Sequence, residues 1–70
     1  MKKIGELNAL AGYFIICYDE ADRNHYKIYQ KWYDRGWHRK LIEKYADLYS
    51  CTIWINEFIK QHNEDGRNVL

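Results

Sequence analysis

The sequence predicts an all-α fold: two long helices packed as an antiparallel hairpin, completing a bundle by self-association. Three observations point there. Apolar residues recur at three–four spacing through both halves of the chain. Its 70 residues include no Pro and only four Gly, so a few long elements suit it better than many short ones. The clearest interior break, Arg35-Gly36, puts a cation and then a glycine where a helix would stop.

In the first half the apolar positions fall at Leu7, Leu10, Phe14, Cys17, Ala21 and Ile28, widened by Ile4, Ala11, Ile15 and Tyr18. The pattern continues through Tyr29, Trp32 and Tyr33, which predicts one helix over about 3–34, weakened at Gly12 and at the polar run 19–24. In the second half Leu41, Tyr45, Leu48, Cys51, Ile55, Phe58 and His62 predict a helix over 37–62, with Gly66 as its stop. A single domain then occupies residues 1–65 and a frayed tail 66–70.

A small α+β fold competes with this reading. Tyr13-Phe-Ile-Ile-Cys-Tyr18 and Tyr26 to Trp32 are β-branched and aromatic enough to pair as strands. Asp47 has the chemistry of an N-cap, which would make Arg39 to Tyr45 a third strand and start the helix at Leu48. The segment Asp19 to His25, however, lacks the Gly or Pro of an ordinary hairpin loop. The hairpin of helices also brings Cys17 and Cys51 near each other on its apolar stripe, as buried reduced thiols or, less simply, as a redox pair.

Residues 25–40 carry the candidate site. They hold five of the twelve aromatic residues and five of the eleven Lys and Arg against one acid, a net +4 between flanks of −1 and −2. Tyr29, Trp32, Tyr33, Arg35, Trp37, His38 and Arg39 would cluster around the tip of the hairpin. Trp, Tyr and Arg dominate binding hot spots, because they bury much area at low entropic cost and keep a polar handle. Packing of Trp32 and Trp37 as a plug in the end of the bundle explains the same rings, and stacking on nucleic acid is a third account. A pI near 7.8 with acidic flanks argues against a dedicated nucleic-acid binder.

The run Gly36-Trp37-His38-Arg39-Lys40-Leu41-Ile42-Glu43-Lys44-Tyr45-Ala46-Asp47-Leu48, followed by Ser50-Cys51-Thr52-Ile53, resembles the helix–turn–recognition-helix segment of small repressors and transposase N-termini. It covers about a third of the chain. Glu43 stands where that segment wants a small residue, and Ala46-Asp47 replaces its turn glycine. The resemblance implies a small DNA-binding transcriptional regulator.

Chemistry-bearing patterns are few. His25, His38 and His62 fall far apart on a helical hairpin, and no Gly-rich phosphate loop, His-x-x-x-His pair or zinc-type spacing occurs. No catalytic residue, metal or cofactor is expected. Asp19, Glu20 and Asp22 form one acidic patch and Glu64-Asp65 another; the first is placed to meet the basic tip of a second copy in a homodimer. Glu6 and Asn8 interrupt any leader-like apolar stretch, and Tyr13 to Tyr18 is too short to span a bilayer, so a cytoplasmic protein without membrane contact is expected. The function this composition predicts is a non-enzymatic protein-binding module. It would be a small inhibitor or adaptor in the style of phage proteins that block a host machine, docking its aromatic-basic surface on a larger protein or nucleoprotein. The rival accounts are the DNA-binding regulator and a purely structural oligomerisation module.

Overall fold

Phe14-Ile15-Ile16-Cys17 is four consecutive buried residues. On a helix that run would sweep through more than one face, whereas on a strand with apolar material on both sides every residue is covered. The chain takes the second course. A computed structural model of the protein describes residues 1–62 and 67–68. Its elements are β1 (Lys2–Ala9), β2 (Gly12–Tyr18), β3 (Tyr26–Tyr33), β4 (Trp37–Tyr45), α1 (Leu48–His62) and a two-residue β5 (Arg67–Asn68). The strands form one sheet in the order β4-β3-β2-β1-β5, with every described pairing antiparallel.

The helical hairpin is therefore overturned: residues 3–34 form three strands rather than a helix, and 37–45 form a fourth. The α+β alternative lacked β1, whose interrupted pattern Ile4-Gly5-Glu6-Leu7 gave no strand signal. Only the helix from Leu48 onward survives from the second predicted helix. Asp47 caps it, accepting a hydrogen bond from the backbone N–H of Ser50 at 2.8 Å, an interaction worth about 1 kcal/mol. The expected helix stop at Gly66 and the acidic pair Glu64-Asp65 lie outside the described residues. Arg67–Asn68 of the expected tail pair with Leu7 and Asn8.

Turn chemistry explains how the strands connect without the expected Gly or Pro. The link between β2 and β3 closes without Gly or Pro because its own carboxylates hold it. Asp19 Oδ1 accepts from the N–H of Ala21 and Asp22 Oδ1 from that of Asn24, each at 3.0 Å, as Asx turns do. The Asp19 N–H donates to the His25 carbonyl at 2.7 Å across the loop's ends. Between β3 and β4 the loop is Asp34-Arg35-Gly36, with Arg35 at φ 58° and Gly36 at φ 139°. The left-handed backbone expected at this glycine is present, but it reverses a strand instead of ending a helix.

One face of the sheet is covered by α1. Leu7, Phe14, Ile16 and Ile28 from the strands meet Cys51 and Ile55 of the helix. Phe14 packs edge-on against Phe58 (ring centroids 4.8 Å) and Trp54 (5.7 Å). Alternation along each strand assigns the other face: Lys3, Glu6 and Asn8; Tyr13, Ile15 and Cys17; Lys27, Tyr29, Lys31 and Tyr33; Trp37, Arg39, Leu41 and Lys44. Among the described residues no element packs over that second face.

The cysteines do not meet. Cys51 lies between sheet and helix, whereas Cys17 points to the opposite face, and both are free and buried. Burial raises both thiol pKa values, that of Cys51 to about 11. Since only the thiolate reacts, an aromatic disulfide reagent at pH 7 should label neither thiol faster than the protein unfolds, and both in denaturant. One equivalent reacting at once with native protein would contradict this packing.

Candidate functional site

The register sorts the uncovered face into rows running across the sheet. One row is Asn8, Tyr13, Lys31 and Arg39; the next is Glu6, Ile15, Tyr29 and Leu41; a third is Lys3, Cys17, Lys27 and Lys44. Tyr33 and Trp37 form a further pair at the β3–β4 hairpin. Ile15, Cys17 and Tyr29 are buried beneath the longer side chains and form the floor of the face. Above them Tyr33 and Trp37 stand 69% and 64% exposed, and Leu41 is also exposed.

Rings and cations interleave at the hairpin end. Trp37 contacts Tyr33 (5.7 Å between centroids) and Tyr13 (6.4 Å), both edge-to-face. Lys31 Nζ lies 5.1 Å from the Trp37 ring, and the Arg39 guanidinium 4.8 Å from the Tyr29 ring. Both contacts are in the range of cation–π attraction. Glu6, Asn8, Tyr13, Lys31 and Trp37 line a shallow depression of about 550 Å³ beside this cluster. Tyr13 donates its hydroxyl hydrogen to Glu6, which also pairs with Lys3 at 3.0 Å. The bonds from Tyr13 and then Lys3 hold the Glu6 carboxyl below its usual range.

The far end of the face is electrostatically closed. Lys27 pairs with Asp19 (2.9 Å) and Asp22 (3.2 Å), and Lys44 reaches Asp22 at 3.6 Å. Asp19 and Asp22 of the acidic patch that was expected to meet a second copy are thus engaged within their own chain. Both carboxyls are held below their usual range, Asp19 by Lys27 and then the N–H of Ala21, Asp22 by the N–H of Asn24 and then Lys27. A carboxyl whose folded pKa is depressed contributes stability above its unfolded pKa and loses it as pH falls through the folded value. The thermal midpoint should therefore drop on acidification below about pH 4, and less steeply for Asp19→Asn, which starts lower. A midpoint indifferent to pH in that range would show the latch to be inert.

The structure divides the residues that the sequence grouped together. Tyr29, Tyr33, Trp37 and Arg39 share the uncovered face, with Tyr29 in its floor rather than on its surface. Trp32 and His38 sit opposite each other on the helix side of the hairpin, stacked at 5.6 Å. Trp32 is 43% exposed, because it lies in the part of the hairpin that the core cluster does not reach. Arg35 is in the turn. Sequence reasoning missed Tyr13, Lys31, Asn8 and Leu41; period-two alternation through 26–33 and 37–41 would have found Lys31 and Leu41.

His25 stacks on Tyr18 at the start of β3, and His38 is at the other end of that hairpin. Among the described residues no group of three His, Cys, Asp or Glu is placed to hold a metal, and no helix is long and apolar enough to cross a membrane. The two-helix unit required by the repressor-like resemblance is absent, since residues 37–45 are β4. A second groove of about 350 Å³, lined by Tyr45, Ser50, Ile53, Trp54 and Glu57, lies on the helix side. Compared with known proteins, the chain matches no family model, no curated protein and no solved structure.

Proposed function

We propose that this protein is a non-enzymatic binding module that docks the uncovered sheet face onto a larger protein or nucleoprotein, as a small inhibitor or adaptor. The observation that carries the reading is the cluster of Trp37, Tyr33 and Tyr13, with the exposed Leu41 further along β4, on a face over which no described element packs, studded with Lys31 and Arg39. Monomers seldom keep large rings in the open without a use for them. Trp, Tyr and Arg are the residue types that make small interfaces strong. The floor beneath them is packed, so the exposed groups are presented from a rigid sheet, which lowers the entropic cost of binding. The argument for a homodimer changes with the fold. A helical hairpin needs a second copy to cover its apolar side, whereas here α1 covers that side within the chain.

The test is affinity capture from lysate with identification and reconstitution of the bound species. Leu41→Glu places a charge on this face, on β4 opposite Tyr29, and should abolish capture. Ile53→Glu, on the exposed side of α1, should leave it intact. Capture lost with Ile53→Glu but kept with Leu41→Glu would move the function to the helix-side groove and overturn the reading.

A further inference from the structure

We infer that the part of a nucleoprotein partner met by the sheet face is its single-stranded nucleic acid, with phosphates at Lys31 and Arg39 and a base stacked on Trp37. This rests on the reading of that face as the binding surface. The argument begins with two like-charged pairs on adjacent strands. Lys27 lies directly opposite Lys44, and Lys31 directly opposite Arg39, an arrangement that disfavours the sheet. The first pair is neutralised inside the chain by Asp19 and Asp22. Among the described residues no carboxylate pairs with the second, whose cations lie against the rings of Trp37 and Tyr29. The same sheet therefore answers one repulsive pair and leaves the other for an external anion.

What surrounds the unanswered pair selects the anion. Trp37 and Tyr33 offer exposed rings next to it, and rings are the surface on which unpaired bases stack. The depression beside Trp37 is walled by the Asn8 amide and the Glu6 carboxylate, which supply a donor and acceptors for a base edge. A ring, a base-edge group and a cation side by side on one face match the base and phosphate of one nucleotide. The paired base of a duplex has no free π-face to offer. An acidic protein segment would satisfy the cations but has no base to lay on the exposed Trp37 and Tyr33 rings.

The test is fluorescence anisotropy of labelled 12-nucleotide oligo(U) and oligo(dT), with a hairpin duplex of equal length as competitor, at 50 and 200 mM salt. Binding is expected to quench tryptophan fluorescence and to prefer single strands. Each cation on a phosphate contributes about 0.7 to the slope of log affinity against log salt for a single strand. Lys31→Gln with Arg39→Gln should flatten that slope by about 1.4. Trp37→Phe should keep much of the affinity and Trp37→Ala lose from about fivefold to over a hundredfold. The Gln variants relieve a repulsion, so their thermal midpoint should stay or rise. That keeps a binding loss distinct from a folding loss. Absence of single-strand binding at 50 mM salt, equal binding to duplex, or a slope unchanged by the double variant would overturn the inference. If a reconstituted protein partner is still released by Leu41→Glu, the sheet face remains the binding surface and only its occupant is changed. If neither ligand responds to the face, both readings fail.

Discussion

Ile28→Ala is expected to leave much of the protein unfolded at 25 °C. Ile28 is fully buried in the central part of the sheet, against the side that meets Cys51 and Ile55. Truncation of a buried isoleucine removes the transfer free energy of its lost carbons and leaves a cavity, together about 2–5 kcal/mol. A 70-residue domain with one core has about 3–5 kcal/mol in all, so one substitution of this kind is comparable to the whole. The core has little slack: among the described residues six buried side chains form its centre, ringed by half-buried ones such as Trp54 and Phe58. Urea unfolding followed by far-UV circular dichroism reads the result. Ile28→Val, which removes one methylene, should lower stability by about 1 kcal/mol and keep a measurable transition. A loss below about 1 kcal/mol for the alanine variant would mean that the sheet and helix do not enclose this side chain.

Trp37→Ala should do the opposite, weakening partner binding while the fold stands. Trp37 is the same size as a core anchor, but it is mostly exposed, and its neighbours Tyr13, Tyr33 and Lys31 lie at the rim of the face. Truncation there forms no cavity, and stability should change by less than about 1 kcal/mol. As a hot-spot ring it should cost at least about 2 kcal/mol in binding, a loss of about thirtyfold. Trp54→Ala makes the contrast. Trp54 is stacked with Phe58 at 5.4 Å and packs on Phe14, so its loss should fall on stability. Circular dichroism and a binding isotherm on both variants separate the two roles. Unfolding of Trp37→Ala would make that ring part of the core and place the binding surface elsewhere.

The misreading of the first half has a specific physical cause. Leu7, Leu10, Phe14 and Cys17 satisfy a helical spacing by coincidence. Leu7 and Phe14 face the helix, Cys17 faces the other way, and Leu10 is 95% exposed in the turn between β1 and β2. A strand buried on both sides has no alternation to detect, so β2 gave a continuous apolar run that either period can claim. The edge strand β4 erred in the other direction. It is mostly exposed, carries four charged residues in nine and holds a bulge opposite Ile28 and Tyr29. Such features blunt a sheet edge against pairing with another chain and also hide its period. The loop at 19–25 looked unsuited to a hairpin because Asp side chains, not Gly or Pro, close it.

Residue types and local spacing alone set the composition of the site and the helix from Leu48 onward. The concentration of rings and cations in 25–40, the left-handed turn at Gly36, the cap at Asp47 and the apolar stripe from Leu48 onward are local properties, set by residue type and short-range geometry. Tertiary structure alone decided which of those rings share a surface. Adjacent residues on a strand point to opposite faces, so Trp32 and Tyr33 part company, and His38 separates from Trp37 and Arg39. Pairing between strands then brought Asn8 and Tyr13 beside Lys31, and Asp19 and Asp22 onto Lys27. Those contacts depend on register between segments distant in the chain, and register is fixed by burying the apolar face under α1 rather than by any local signal.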